Sequence, residues 1–183
     1  MKISIIGAAG FLGHSLINYL SNKKDIKLKL IDTKNRIKIL KKKENINQHE
    51  ISHVDYNNEK SIKESLKNTD ILINFFTLTD PQTSMRDNYL KSLKEIEINL
   101  LIFKYSNFFK IKKIIFISSG GAIYGKANKF PINEEYIPNP ISSYGISKLC
   151  SEKYLSLYKN IDYVSLRISN AYGPLQFKNT KIG

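Results

Sequence analysis

Lys2-Ile3-Ser4-Ile5-Ile6-Gly7-Ala8-Ala9-Gly10-Phe11-Leu12-Gly13 is the stretch that decides the fold of this chain. Lys2–Ile6 is rich in isoleucine and reads as a buried strand. Residues 11–21 repeat apolar side chains at helical spacing, which predicts a helix with Leu12, Leu16, Ile17 and Leu20 turned inward. Between the two, Gly7, Gly10 and Gly13 make a turn that lets the backbone come close to a pyrophosphate at the helix N-terminus. A strand, a spaced-glycine turn and a helix in this order predict the opening unit of a doubly wound sheet.

The pattern continues outward from that unit. Strands are predicted over 26–31, 51–54, 70–76, 113–118 and 164–167, and helices over 59–67, 89–109 and 142–159. The helix over 89–109 is apolar on several faces, as in a helix packed beside a sheet. Ser142 or Ser143 is the expected N-cap of the last helix, which follows a loop containing Pro131, Pro138 and Pro140. Strands alternating with helices predict an α/β fold, a doubly wound parallel sheet of the Rossmann type covering residues 1–183 as one dinucleotide-binding domain.

The bulk properties agree with one folded domain: 183 residues, of which 42% are apolar, suffice for a sizeable core. No apolar run reaches the length of a membrane span, and Met1 leads directly into the first strand, so no membrane partner and a cytoplasmic location are expected. Cys150 is the single cysteine, which excludes an internal disulfide and a multi-cysteine zinc site; no metal is expected. The net charge of +13 comes from lysines scattered along the chain, with arginine only at 36, 86 and 167. Arginine is the residue that reads bases and clamps phosphates with two prongs, so nucleic acid is not an expected partner. The cluster Lys41-Lys42-Lys43 reads as a solvated face.

Asp32 closes the second strand nineteen positions beyond Gly13. A carboxylate there accepts hydrogen bonds from an adenosine ribose and repels a 2′-phosphate, which favours NAD over NADP, although Lys34 and Arg36 weaken that preference. Its bland alternative is a helix cap. Asp55, with Tyr56 beside it, ends the third strand at the carboxyl edge of the sheet, placed either to hold an adenine or to cap the next helix. Phe75, Phe76 and Thr77 end the fourth strand at the same edge, along the expected path of the dinucleotide or simply in the core. Tyr144 and Lys148 stand four apart and so project from one helix face. A lysine cation beside a phenol favours phenolate, which makes Tyr144 a candidate acid/base and Lys148 its tuning partner.

With those residues in view, the chain resembles the extended short-chain dehydrogenases/reductases of the NAD-dependent sugar epimerase/dehydratase family. The resemblance rests on GAAGFLG (7–13), Asp32, Asp55, Asn99, SSGGAIYG (118–125), SSYGISK (142–148) and LRISNAYGP (166–174), and runs through all 183 residues. It implies that Phe11 and Leu12 border the pyrophosphate, that Asn99 lies near the nicotinamide, and that Tyr144 and Lys148 are the catalytic pair. Lys148 would also hold the nicotinamide ribose, and Asn170 would contact the nucleotide-sugar. The family's catalytic Ser or Thr falls at Gly120, so Ser119, or else Ser118 on the substrate side, would polarise the substrate oxygen. Where the family has His-Leu-Ala-Ala, this chain has Asn74-Phe75-Phe76-Thr77. Acidic residues that serve elimination or decarboxylation are replaced by Gly121 and Ala122.

The expected reaction is therefore 4-epimerisation of a nucleotide-sugar, most simply a UDP-sugar, through a 4-keto intermediate, serving surface polysaccharide precursors. A nucleotide-sugar reductase is the alternative within the enzyme class, and a dinucleotide-binding module without turnover is the alternative outside it. Family members exceed 300 residues, so the substrate domain is expected to be absent or only begun after about residue 170, as a fragment or a natural truncation. A homodimer is compatible with the resemblance.

Overall fold

A computed structural model describes residues 1–79, 89–128, 130–173 and 175–176. Pro174, which closes the 166–174 motif, and Gly183 lie outside the described residues. Six parallel strands form one sheet in the order β3-β2-β1-β4-β5-β6. They are β1 (Lys2–Ile6), β2 (Lys27–Asp32), β3 (Glu50–His53), β4 (Ile71–Asn74), β5 (Lys113–Ser119) and β6 (Asp162–Ile168). The helices are α1 (Phe11–Leu20), α2 (Lys34–Lys43), α3 (Glu59–Ser65), α4 (Tyr89–Phe108), α5 (Gly120–Ile123) and α6 (Ser143–Leu155). This is the expected α/β doubly wound sheet.

The two-residue side-chain period of the strands divides the core into two layers. Ile3 and Ile5 of β1, Leu28 and Leu30 of β2 and Ile73 of β4 face Ile17 of α1 and Ile37 and Leu40 of α2. Ile6, Ile31, Leu72, Ile114 and Phe116 point the other way, onto Ile62 of α3, Ile98, Ile102 and Phe103 of α4 and Leu155 of α6. Phe103 meets Phe116 edge to face, with ring centroids 5.7 Å apart. No helix among the described residues is long and apolar enough to cross a membrane.

Two helices depart from expectation. The lysine cluster belongs to α2, a helix that the polar composition of 34–43 conceals; two apolar residues, Ile37 and Leu40, suffice to seat it because they recur at helical spacing and are both buried. Gly120–Ile123 forms the short α5 directly after β5. On α1 the buried residues are Gly13, His14 and Ile17, while Leu16 and Leu20 pack only partly against the core. Leu12 turns instead to the carboxyl edge of the sheet. At α6 the choice of cap is resolved: the Ser142 side chain accepts from the Gly145 N–H at 3.1 Å.

Phe103 and Leu93 provide a contrast on one helix. Phe103→Ala empties a fully buried ring position and should cost about 3–5 kcal/mol. Leu93, 61% exposed, should cost within about 0.5 kcal/mol when changed to alanine. Urea unfolding midpoints of the two variants check this.

Candidate functional site

The carboxyl ends of β1, β2, β4, β5 and β6 open onto a single cavity of about 610 Å3. It lies over the point where the chain order reverses between β1 and β4, the place where open α/β sheets receive ligands. Its volume falls within the ~300–1,000 Å3 typical of ligand pockets.

One end is built by the glycine turn. Gly7 has φ +74°, the left-handed region in which glycine is favoured. A side chain on Gly13 would place its first carbon 2.4 Å from the Gly7 carbonyl oxygen, so only glycine lets α1 pack this closely on the turn. Gly10 caps α1 without a side-chain hydrogen bond, and the first turn holds no acidic residue. The N–H groups of Phe11, Leu12 and Gly13 have no acceptor within the helix, as in the first turn of any helix. Such an end attracts an anion.

Asp32 is buried and fastens this turn: Oδ2 accepts from the Ala9 N–H at 3.0 Å and Oδ1 from the Thr33 N–H at 2.8 Å. It is not a helix cap, because Thr33 takes that place at α2. A carboxylate has about four acceptor sites, so two remain for a ligand's hydroxyls. The Arg36 Nε stands 3.7 Å from Asp32, and its side chain also lines the cavity. Tyr56 lies against Phe76 with centroids 4.3 Å apart, and burial, aided by the Asp32 carboxylate, pushes its phenol far above the usual value.

The other end belongs to β5 and α6. Tyr144 and Lys148 both line the cavity, one turn apart near the start of α6. Lys148 is buried, donates to the Phe76 carbonyl at 3.2 Å, and lies 5.6 Å from the centre of the Tyr144 ring. Ser118 and Ser119 line the same wall. By strand alternation Ser118 shares a face with Phe116, the ring over which the Lys148 ammonium sits at 5.3 Å. The Ser118 hydroxyl is buried with no hydrogen-bond partner among the described residues. Gly7, Gly10, Phe75, Thr77 and Asn170 complete the set of expected site residues that the cavity gathers.

Two expected site residues lie elsewhere. Asp55 is exposed and turns its Oδ1 to the Asn57 N–H at 3.0 Å; it does not line the cavity, and Asn58 takes the N-cap of α3. Asn99 is buried behind the wall, where its Oδ1 accepts from Asn74 at 2.9 Å. Asn74 in turn accepts from the Phe76 N–H at 2.9 Å, so Asn99 reaches the cavity wall only through Asn74. A residue absent from the sequence reading stands here too. Glu95 of α4 is fully buried, 3.1 Å from the Lys148 ammonium. The sequence carried little signal for it, because α4 also holds Lys91, Lys94, Glu97 and Lys104, and only its place one turn before Asn99 sets Glu95 apart.

The arrangement fits a dinucleotide: a glycine-rich turn leading into a helix N-terminus at one end, a buried carboxylate beside it, and a phenol with a buried cation at the other. A putative UDP-glucose 4-epimerase of Methanocaldococcus jannaschii is 33% identical over 183 residues, which cover 95% of this chain and 57% of that protein. A dTDP-4-dehydro-6-deoxyglucose reductase of Escherichia coli is 33% identical over 192 residues, covering 99% and 59%. The crystal structure of Thermotoga maritima UDP-glucose 4-epimerase with UDP-glucose superposes with a TM-score of 0.85 at 26% identity, covering all of this chain and 60% of that one. The chain thus spans under two thirds of the length of these relatives. The NAD dependent epimerase/dehydratase family matches residues 3–182, and the chain belongs to that family.

Proposed function

We propose that residues 1–183 are the NAD-binding domain of a nucleotide-sugar 4-epimerase acting on a UDP-sugar in the cytoplasm, within the supply of surface polysaccharide precursors. The observation that carries this reading is one cavity with the glycine turn and Asp32 at one end and Tyr144 with Lys148 at the other. Bound NAD supplies a site that takes up and returns a hydride. In this reading the N–H groups of Phe11 and Leu12 hold the pyrophosphate, and Asp32 accepts from the adenosine ribose. Tyr144 takes the proton of the sugar's C4 hydroxyl as hydride leaves C4, and returns it when hydride comes back to the opposite face. The Lys148 cation favours the phenolate form of Tyr144 and binds the nicotinamide ribose. Asn170 contacts the nucleotide-sugar.

The hydroxyl that polarises the substrate oxygen comes from the Ser118–Ser119 pair. Ser118 is the better placed, because its unpartnered hydroxyl stands on the face that Lys148 covers. Position 120 is closed to this role by sterics: a first side-chain carbon there would meet the Arg167 carbonyl oxygen at 2.7 Å. The small residues Gly121 and Ala122 speak against elimination. A nucleotide-sugar reductase is the second reading, supported by the E. coli relative.

Calorimetry should find NAD bound more tightly than NADP, by about 1–3 kcal/mol for a phosphate set against a carboxylate. Asp32→Ala should narrow that gap; equal affinity of the parent for both would overturn the role of Asp32. In a full-length version, with UDP-glucose and NAD, chromatography of the sugars should show Tyr144→Phe slowing turnover about 10²–10⁴-fold, with NAD affinity kept. A full-length parent that binds NAD and converts no sugar would favour the module without turnover. Gly120→Ser, which installs the family's hydroxyl, should not serve as a gain of function. It should destabilise by about 1–3 kcal/mol through the clash with β6, read as a lowered melting temperature.

A further inference from the structure

Glu95 stands in the middle of α4, where a charged side chain has no access to water. Its two carboxylate oxygens have separate tasks. Oε2 accepts from three groups of the segment after β4, the Leu78 N–H at 2.9 Å, the Thr79 N–H at 3.1 Å and the Thr79 hydroxyl at 2.8 Å, and lies 3.0 Å from the Thr77 hydroxyl, whose proton goes to the Thr79 carbonyl at 2.7 Å. Oε1 makes none of these bonds and lies 3.1 Å from the Lys148 ammonium. From β5 the ammonium meets the Phe116 ring, from the end of β4 the Phe76 carbonyl, and from its own helix the Tyr144 ring. A buried cation needs a counter-charge to stay charged. Glu95 provides it from a carboxylate that three donors hold still, and the same donors belong to the segment that lines the cavity beside Lys148.

We propose that Glu95 is a positioning residue: its carboxylate keeps Lys148 charged and aimed at the cofactor cavity, and ties that cation to the 77–79 segment along which the dinucleotide lies. This rests on the cofactor reading above and adds to it a residue that touches neither cofactor nor substrate. NAD affinity then depends on Glu95 only through Lys148. Removing the carboxylate alone leaves an ammonium whose proton is more easily lost, so the effect grows as pH rises.

The test is calorimetry of NAD binding by the 183-residue chain between about pH 6 and about pH 10, spanning the range over which an uncompensated lysine titrates. The parent should bind NAD with little change across most of the range. Glu95→Gln should match the parent within about threefold at the low end and fall about tenfold or more behind it at the high end, the loss of one charged hydrogen bond. Lys148→Met should be weaker by a similar factor at every pH, and the double variant should match Lys148→Met alone. Glu95→Asp keeps the charge on a shorter arm and guards against a Gln variant that does not fold; it should bind about threefold to tenfold more weakly with the parent's pH profile. Glu95→Gln tracking the parent at every pH, equal weakening with and without Lys148, or parental affinity in Glu95→Asp would each overturn the proposal. A purely structural Glu95 would lower the melting temperature without bending the pH profile. A parent that binds no NAD at any pH would remove the cofactor reading itself, and this proposal with it.

Discussion

The approach of the Gly13 α-carbon to the Gly7 carbonyl governs one half of this molecule. A side-chain carbon at 13 would stand 2.4 Å from that oxygen, inside any tolerable contact. Because none is there, α1 starts directly over the end of β1 and its unpaired N–H groups face the cavity. The same closeness brings the Ala9 N–H to Asp32, so the strand that carries the carboxylate is fastened to the turn it serves. Loosening the turn would therefore move both the start of α1 and the Asp32 carboxylate.

The opposite half depends on electrostatics. Lys148 is 3% exposed and would be costly there as an isolated charge. Glu95 offsets that cost from a helix that packs against α6. The Phe116 ring beneath and the Phe76 carbonyl beside the ammonium restrict its direction. Arg167 plays a comparable structural part lower on α6, where Glu152 and the Tyr124 hydroxyl hold its guanidinium between β6, α5 and α6. The two ends of the cavity thus have different physical origins: backbone geometry at the glycine turn, and a compensated buried charge at the phenol.

The fold was legible because strand and helix periods are local properties. Runs rich in isoleucine such as Ile3–Ile6 and Ile114–Ile117 read as buried strands, and the six strands stand at the expected runs to within a few residues. The site was legible where a motif has a fixed spacing: the glycine turn with an acidic residue at the end of the next strand, and Tyr144 with Lys148 one turn later. It was not legible where polar composition masked a helix. In α2, Ile37 and Leu40 are the buried residues of a ten-residue segment otherwise dominated by lysine. Nor was it legible where partners are far apart in the chain, since nothing near Glu95 in sequence signals that Lys148 is its counter-ion.

Asp55 and Asn99 mark the boundary between the two kinds of knowledge. Their positions at a strand end and in the long helix could be read from the sequence, but not the direction of their side chains. Asp55 closes a local turn on Asn57, and the Asn99 carbonyl oxygen is taken by Asn74. The sequence by itself determined the α/β class, the glycine turn, the Asp32 carboxylate and the Tyr144–Lys148 spacing, because each is fixed by local periodicity or by residues close in the chain. Only the tertiary structure decided why position 120 admits no side chain and which carboxylate pairs with the lysine. Those depend on β6 lying against β5 and α4 lying against α6, contacts between segments that no local pattern relates.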